Sequence, residues 1–567
     1  MAFQVSPGVQ VKEIDATSVI PAVSTSIGGF AGAFNWGPAE EIKLVSSEDE
    51  MATIFSTPDE STAKYFLTAA SFLKYGNALK VVRVVATDAE NACVGSTAVL
   101  VKNDEDYETT TLTNASQGEW IGKYPGALGN SLKVEVCTAG GGFSSWTYRG
   151  QFDAAPATSD FAVNNGSANA NDELHIVVID EDGHFTGTPD TVLETFPFVS
   201  QASDAKDSSG TSLYYKNVIN AKSNYVLWAS HDDDLTDAGN AASGPGADTS
   251  FTTVGSVKSY PLQNGADGGT SVARVSASEI AVGFDLFEDA ETVDVNLLFA
   301  CPDANGSTTI ASDLIDIAEA RKDCVAFISP PIEDSTQGSP LTDVLSFSTT
   351  LNRSSSYGFL DSGAVYVYDK YNDVYRYIGA SGITAGLCAN TDQVADAWFS
   401  PAGVNRGQLR GVTKLAFNPN KAQRDSLYKA GINPLVSFPG QGMMLFGDKT
   451  MLKRPSAFDR INVRRLFITL EKAISTAAKA QLFEFNDEFT RAQFRNMIEP
   501  FLRDVKGRRG VTDFSVICDE SNNTGQVIDT NSFIADIYIK PARSINFITL
   551  NFIATRTGVD FSEVAGG

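Results

Sequence analysis

The feature that most constrains this chain is an alternation of strand and helix patterns that one long polar segment interrupts. A β-branched stretch at residues 80–85 predicts a buried strand before the interruption. After it, strand patterns at 295–300, 324–329 and 364–368 alternate with helix patterns at 310–320 and 341–351. Strands joined by helices of this length predict βαβ crossovers and a parallel or mixed sheet.

The interrupting segment, residues 89–267, has a different composition. It holds short strand patterns among many Gly, Asn, Ser, Thr and Asp residues, which predicts an inserted β-rich region and therefore a split β/α core. It carries 8 Lys and Arg against 24 Asp and Glu, a net charge of −16. Residues 403–510 carry 20 Lys and Arg against 9 Asp and Glu, a net charge of +11, although the net charge of the whole chain is −26. Such a basic region is either ordinary solvated surface or a face that docks on an acidic partner.

The overall acidity makes direct nucleic-acid binding by the whole molecule improbable. At about 150 residues per domain, 567 residues suggest several domains. No apolar run is long enough to span a membrane and the start lacks the pattern of a secretion signal, so we expect a protein made in a cytoplasm, with no stable membrane insertion.

The region after residue 407 predicts a C-terminal α+β domain. Amphipathic helix patterns at 470–482 and 487–505 precede strand patterns at 511–518, 533–540 and 545–554. The last strand is apolar on both faces, so it needs a partner. A short N-terminal strand is similarly isolated. The candidate inter-subunit strand residues are Val9, Val11, Ile14, Ile545, Phe547, Ile548, Leu550 and Phe552.

Catalytic chemistry has little support in the sequence. The three histidines, His175, His184 and His231, all lie in the acidic segment, which argues against a His-based zinc site or a Ser/His/Asp triad. The six cysteines are far apart and predict reduced structural thiols. No catalytic residue, cofactor or metal site is predicted.

One segment approaches a phosphate-binding loop. Residues 442–450 contain Gly-x4-Gly before Lys449 and Thr450, but Asp448 intrudes before the lysine and puts a carboxylate where phosphate oxygens would sit. A tight structural turn is the favoured interpretation. Residues 265–269 are similarly interpreted as the hinge where the chain re-enters the core, rather than a ligand-binding turn.

Several stretches, in this order, resemble the tail sheath proteins of contractile-tailed bacteriophages. The N-terminal half contributes 6–14, 28–38, 124–132 and 265–268, and the C-terminal half 401–407, 432–434, 447–450, 461–466 and 545–558. The most specific is 401–407, Pro-Ala-Gly-Val-Asn-Arg-Gly. Residues 139–263 carry no recognised resemblance.

The resemblance implies a structural subunit that forms stacked hexameric rings around a tail tube and contracts to drive the tube through the host envelope. The implied partners are further copies of the chain, the tube protein, and baseplate and tail terminator proteins, in a virion assembled in the host cytoplasm. In this family terminal segments add strands to neighbouring subunits and the C-terminal domain lies against the tube. The candidate tube-facing residues are Arg491, Arg495, Lys506, Arg508 and Arg509.

The expected segments follow from this. They are an N-terminal arm joining the C-terminal domain (1–23), the first part of the α/β core (24–88), the acidic outer region (89–267), the second part of the core (268–405) and the tube-facing C-terminal sheath domain (406–567). Two alternatives stay open: the sheath of a cellular contractile injection system, and an enzyme or a virion decoration or adhesin protein.

Overall fold

The structure is a computed structural model that describes residues 24–140, 142–165, 168–232, 246–248, 250–251, 253–270, 274–303, 307–546 and 549. The described chain divides into two compact units. The larger unit holds residues 24–397 and 401–464, and the C-terminal unit holds residues 398–400 and those from 465 onward. The chain is thus a multidomain protein of mixed α/β structure.

The strands of the described chain are β1 (Gly28–Gly32), β2 (Ile42–Val45), β3 (Leu79–Arg83), β4 (Trp120–Gly122), β5 (Leu132–Thr138), β6 (Glu173–Asp180), β7 (Thr191–Ser200), β8 (Val226–Trp228), β9 (Lys258–Pro261), β10 (Leu297–Phe299), β11 (Val325–Ile328), β12 (Gly358–Asp361), β13 (Ala364–Asp369), β14 (Val374–Gly379), β15 (Val412–Leu415), β16 (Ile432–Asn433), β17 (Leu435–Phe438), β18 (Gly442–Leu445), β19 (Val511–Ile517) and β20 (Asp536–Pro541).

Its α-helices are α1 (Glu48–Phe55), α2 (Ala63–Leu73), α3 (Asp104–Thr109), α4 (Asn114–Gln117), α5 (Asp160–Asn164), α6 (Tyr215–Lys222), α7 (Ala277–Asp285), α8 (Thr309–Arg321), α9 (Ile332–Thr336), α10 (Pro340–Leu351), α11 (Ser381–Val394), α12 (Lys421–Lys429), α13 (Ile461–Ala478), α14 (Glu488–Gly507) and α15 (Gly525–Asp529).

A seven-stranded sheet with the order β16-β12-β11-β10-β1-β3-β2 forms the centre of the larger unit. Its neighbouring strands run parallel, except that β2 and β3 pair antiparallel at one edge. Helix α8 joins β10 to β11, and α10 lies between β11 and β12, as the sequence pattern predicts. Strand β1 lies beside β10, so strands from before and after residues 89–267 form one sheet.

Helices cover both faces of this sheet. Successive strand residues point to opposite faces, and the Cα of Gly28 faces Phe72 in α2 whereas that of Gly29 faces Phe287 just after α7. A Cβ on Gly28 would lie 2.8 Å from the Phe72 ring, so this close approach requires glycine. The ring of Phe72 stacks on that of Phe299 with centroids 5.1 Å apart, and both side chains are fully buried.

One predicted strand takes a different position. The sequence analysis placed residues 364–368 as the next strand of the β/α series, but the strand after α10 in the main sheet is β12, and β13 instead pairs antiparallel with β14 and β15 in a separate sheet. Residues 358–361, Gly-Phe-Leu-Asp, escaped detection because four residues beginning with glycine carry a weak strand pattern.

Residues 89–267 fold mainly around antiparallel strands. Four of them form a sheet with the order β7-β6-β5-β9, and β4 pairs with β8. Their apolar faces share a core with Trp36, which comes from the first part of the larger unit. The two ends of the segment are adjacent, because Glu90 N donates to Ala266 O at 2.8 Å and Ala266 N donates to Glu90 O at 3.0 Å.

The C-terminal unit contains α14, most of α13 and the β19–β20 hairpin. Helix α13 begins at residue 461 and ends at residue 478, so the predicted helix at 470–482 starts too late and runs too far. The sequence analysis began the C-terminal domain at residue 406, yet β16 pairs with β12 and residues up to 464 belong to the larger unit. The rise in Lys and Arg that suggested residue 406 precedes the structural boundary.

Candidate assembly surfaces

The histidines are packed or exposed rather than arranged for catalysis. His175 stacks on Phe152 with ring centroids 4.2 Å apart, its Nε2 lies 2.9 Å from Ala154 O, and burial lowers its pKa, which keeps the ring neutral. His231 is buried with its Nδ1 2.5 Å from the Tyr215 hydroxyl, whereas His184 is exposed. In the described chain the histidines thus act as core groups or lie at the surface.

The carboxyl ends of parallel strands are the usual ligand-binding edge of an α/β sheet. Here the ends of two of these strands are hydrogen-bonded to each other. Asp361, at the end of β12, is fully buried and accepts hydrogen bonds from Ser329 Oγ at 2.6 Å and Gly363 N at 2.9 Å. Burial raises the pKa of Asp361 to about 7. The group acts as a buried tie between two strand ends.

The contacts of residues 442–450 support the structural turn. Lys449 Nζ donates to Tyr428 O at 2.7 Å, and its backbone N donates to Asn433 Oδ1 at 2.8 Å. Asp448 is buried and pairs with Arg460 at 3.4 Å. The lysine that a phosphate would require is already bound to the backbone.

The described residues hold no metal cluster and no membrane-spanning helix. They contain no group of three or more His, Cys, Asp or Glu side chains that could hold a metal ion. None of their helices is both long enough and apolar enough for a membrane span. All six cysteines are buried, and none forms a disulfide bond in the described part of the chain.

The C-terminal unit presents a two-stranded sheet. Phe514 pairs with Ile539 and Val516 with Ile537, and these side chains pack on the core formed with α14. The opposite face is polar apart from half-buried Ile517 and from Tyr538, which is 59% exposed. Among the described residues each of β19 and β20 pairs only with the other, so both outer edges present unpaired backbone groups that can accept an added strand.

A cluster of cations lies where α14 ends. We call Arg503, Lys506, Arg508 and Arg509 the basic end of α14, and all four are exposed. Lys506 pairs with Asp513 at 3.2 Å, which lowers the pKa of that carboxyl, and Arg508 pairs with Asp504 at 2.8 Å. Arg508 also lies over the ring of Trp398, 5.1 Å from its centroid.

Two of the proposed tube-facing residues differ from this cluster. Arg491 is buried and donates to Asn486 Oδ1 at 2.9 Å, so it holds the turn before α14 instead of presenting charge to a partner. Arg495 is half-buried. The sequence analysis included Arg491 because it lies in the basic region of residues 403–510, yet residues on neighbouring helical turns can differ in burial.

The turn between the two helices is a surface that the sequence analysis missed. We call residues 482–489 the aromatic loop; Leu482, Phe483, Phe485 and Phe489 are 62%, 104%, 83% and 75% exposed. The analysis counted Leu482 as the last buried residue of a helix, but α13 has ended and a short 3₁₀ turn at 479–481 intervenes. The available signal was the alternation of Phe with acidic residues before the Asp487 N-cap.

Most predicted inter-subunit strand residues, Val9, Val11, Ile14, Phe547, Ile548, Leu550 and Phe552, lie outside the described residues. Ile545 is described and is 81% exposed.

Comparisons with known proteins cover the whole chain. Residues 275–451 match the family described as phage tail sheath protein central domain, residues 453–555 the phage tail sheath C-terminal domain, and residues 25–84 the tail sheath protein Gp18 domain III N-terminal region. The chain is 36% identical to the tail sheath protein of Vibrio phage KVP40 and 33% identical to that of Enterobacteria phage T4, covering 99% of this chain and of each relative. Its fold is similar to the anti-feeding prophage helical sheath in the contracted state, at 14% identity with a TM-score of 0.51, covering 98% of this chain and 100% of that one.

Proposed function

The chain belongs to the phage tail sheath protein family, and we propose that it polymerises as stacked hexameric rings around a tail tube and contracts to drive that tube through the host envelope. The observation that carries the proposal is the end-to-end match to two tail sheath proteins. The fold likeness to a helical sheath in the contracted state supports the same kind of lattice. Baseplate and tail terminator proteins would bound the sheath in a virion assembled in the host cytoplasm.

The mechanism we propose is conformational. An extended sheath is held on the tube in a metastable lattice, and its release lets subunits rotate and bury more lateral surface. The free energy is stored during assembly, so contraction requires no nucleotide. Residues 442–450 fit this account, since Lys449 is engaged by the backbone of Tyr428.

We assign the links between subunits to strand addition in the C-terminal unit. Among the described residues the hairpin has two open edges, and the predicted C-terminal strand is apolar on both faces, which suits pairing with a sheet edge while packing on a core. In this proposal the N-terminal arm of residues 1–23 and the segment from Ile545 to Phe552 of neighbouring copies extend the β19–β20 sheet. Backbone hydrogen bonds would give affinity, and alternate side chains would fix the register.

We assign the tube contact to the basic end of α14 together with Arg495. The exposed cations there suit an acidic tube surface, and an exposed electrostatic contact should weaken with salt. Residues 89–267, with their net charge of −16, would face outward. Arg491 is not part of this surface because it is buried.

Negative-stain microscopy of the purified chain, with and without purified tail tubes, tests the proposal. We expect striated polymers, and sheathed tubes when tubes are present. Charge reversal at Lys506 and Arg508 should reduce sheathing of tubes about tenfold, as should high salt. A chain that stays monomeric under all conditions, while folded, would contradict the sheath proposal. Normal sheathing by the reversed variant would contradict only the tube assignment.

A further inference from the structure

The aromatic loop is an apolar surface that the described residues leave exposed. Its three phenylalanines and Leu482 lie within eight residues and are each more than half exposed. Isolated exposed apolar residues are ordinary, but a contiguous group marks an interaction site. The backbone at Phe483 adopts a positive φ of 71°, a conformation that a phenylalanine rarely takes, so the surrounding structure must fix it.

Hydrogen bonds attach the polar residues of the aromatic loop to the rest of the C-terminal unit. Buried Arg491 donates to Asn486 Oδ1 at 2.9 Å, and Asn486 Nδ2 donates to Ser532 O at 2.8 Å. Asp487 Oδ1 accepts from Thr490 N at 2.8 Å and caps α14. The polar side chains of the loop are therefore bound to the unit, whereas the aromatic side chains remain exposed.

The charges around the loop are acidic. Glu484, Asp487 and Glu488 are exposed between and beside the phenylalanines. The basic end lies at the other terminus of the same helix, and α14 has 20 residues, which is about 30 Å of helix. The loop and the basic end of one copy therefore cannot touch each other, although their charges are complementary.

We propose that the aromatic loop of one copy docks on the basic end of α14 of a second copy, in the contracted lattice. Glu484 and Glu488 would face Arg503 and Arg509, and phenylalanine rings would lie against guanidinium planes. Arg508 over the Trp398 ring already shows that stacking mode within one chain. Arg503 and Arg509 form no ion pair with another described residue, so they are available for this contact.

Such a contact joins different surfaces of the two copies, so it can repeat from copy to copy along a helical lattice. The inference rests on the proposed function. In the extended lattice the basic end faces the tube, and contraction would free it to take the loop of a neighbour. The loop is then a contact specific to the contracted state.

A charge-exchange experiment on the full chain tests this. The loop variant Glu484→Lys/Glu488→Lys, the receiver variant Arg503→Glu/Arg509→Glu and their combination are compared with the control Glu520→Lys/Asp529→Lys, which changes charge equally on other exposed residues of the same unit. Light scattering measures the concentration needed for polymers without tubes, and microscopy measures the sheathing of tubes. Circular dichroism and the monomer mass check the fold.

The loop variant should raise the polymerisation concentration about tenfold or more, since central contacts dominate an interface. It should still sheathe tubes, and the combined variant should recover polymerisation to within about threefold of the unaltered chain. Polymerisation of the loop variant like the control, or no recovery in the combination, would overturn the inference. Loss of tube sheathing by the loop variant would also overturn it and assign the loop to the tube. In each of these cases polymers of the unaltered chain would leave the sheath proposal standing, whereas their absence would contradict the sheath proposal itself.

Discussion

The larger unit and the C-terminal unit bury apolar side chains to different extents. In the larger unit, helices cover both faces of the seven-stranded sheet, and Phe72 and Phe299 are fully buried. In the described part of the C-terminal unit a two-stranded sheet has open edges, and the three phenylalanines of the aromatic loop are more than half exposed. Among the described residues the larger unit covers its own apolar sheet faces, whereas the C-terminal unit leaves strand edges and aromatic rings exposed, which are features of surfaces that bind a partner.

Of the changes proposed here, truncation of the chain ends should have the largest effect on polymerisation while leaving the larger unit folded. Removing residues 1–15, or ending the chain after Ser544 so that β20 stays whole, should abolish polymers because the strands added to the hairpin are lost. The larger unit should stay folded. Size-exclusion chromatography and negative-stain microscopy measure the result. Striated polymers from both truncated chains would eliminate strand addition as the link between subunits.

A matched pair of substitutions compares the two units directly. Phe299→Ala removes a ring from the centre of the core and should lower the free energy of unfolding by about 3–5 kcal/mol. Phe485→Ala removes an exposed ring and should change it by less than about 0.5 kcal/mol, yet weaken polymerisation. Urea unfolding of the monomer and light scattering distinguish them. A comparable loss of stability in both variants would mean that the aromatic loop is part of a core.

Deletion of residues 89–267 tests whether the rest of the larger unit folds without the inserted region. A short Gly/Ser linker in place of residues 89–267 can join the two ends of the gap, because Glu90 and Ala266 are hydrogen-bonded neighbours. The remainder should fold but lose about 2–4 kcal/mol, since Trp36 loses its cover and the buried Arg83 loses its hydrogen bond to Pro125 O at 2.6 Å.

Thermal unfolding followed by circular dichroism measures that loss. If the deletion yields only insoluble protein, even when Trp36 is also replaced by serine, the inserted region is part of the folding core.

The effect of Asp361 on the pH dependence of folding stability tests whether water is excluded from the ends of the parallel strands. Its pKa is raised to about 7, so the native state keeps the proton that the unfolded chain has lost, and stability falls as pH rises toward 7. Between pH 5.5 and pH 8 ionisation of Asp361 should lower the free energy of unfolding by about 2 kcal/mol. Asp361→Asn should remove that part of the pH dependence of stability. Urea unfolding at the two pH values measures the difference. An unchanged slope would indicate that water reaches the strand ends.

Much of the larger unit could be predicted from the sequence because strand and helix periodicities are local properties. The strands at 80–85, 295–300 and 324–329 and both crossover helices appear at nearly the predicted positions. Strand β12 was missed, and β13 was placed in the wrong sheet, because sheet membership depends on long-range pairing that periodicity does not encode.

The candidate site was less predictable. Lys506, Arg508 and Arg509, predicted to face the tube, are exposed, whereas Arg491 is buried through its contact with Asn486, which no spacing rule reveals. Leu482 continues the apolar stripe of α13, so periodicity alone extends the helix into the aromatic loop. An apolar residue whose cover comes from another copy looks in the sequence like a core residue.

Hydrogen–deuterium exchange of monomer and polymer tests the central claim most directly, namely that other copies complete the C-terminal unit while the larger unit is complete alone. On polymerisation we expect slower exchange in β19, β20 and residues 482–489, and unchanged exchange in β1, β10 and β11. Equal protection of β19, β20 and the aromatic loop in monomer and polymer, or a gain confined to the seven-stranded sheet, would contradict the account.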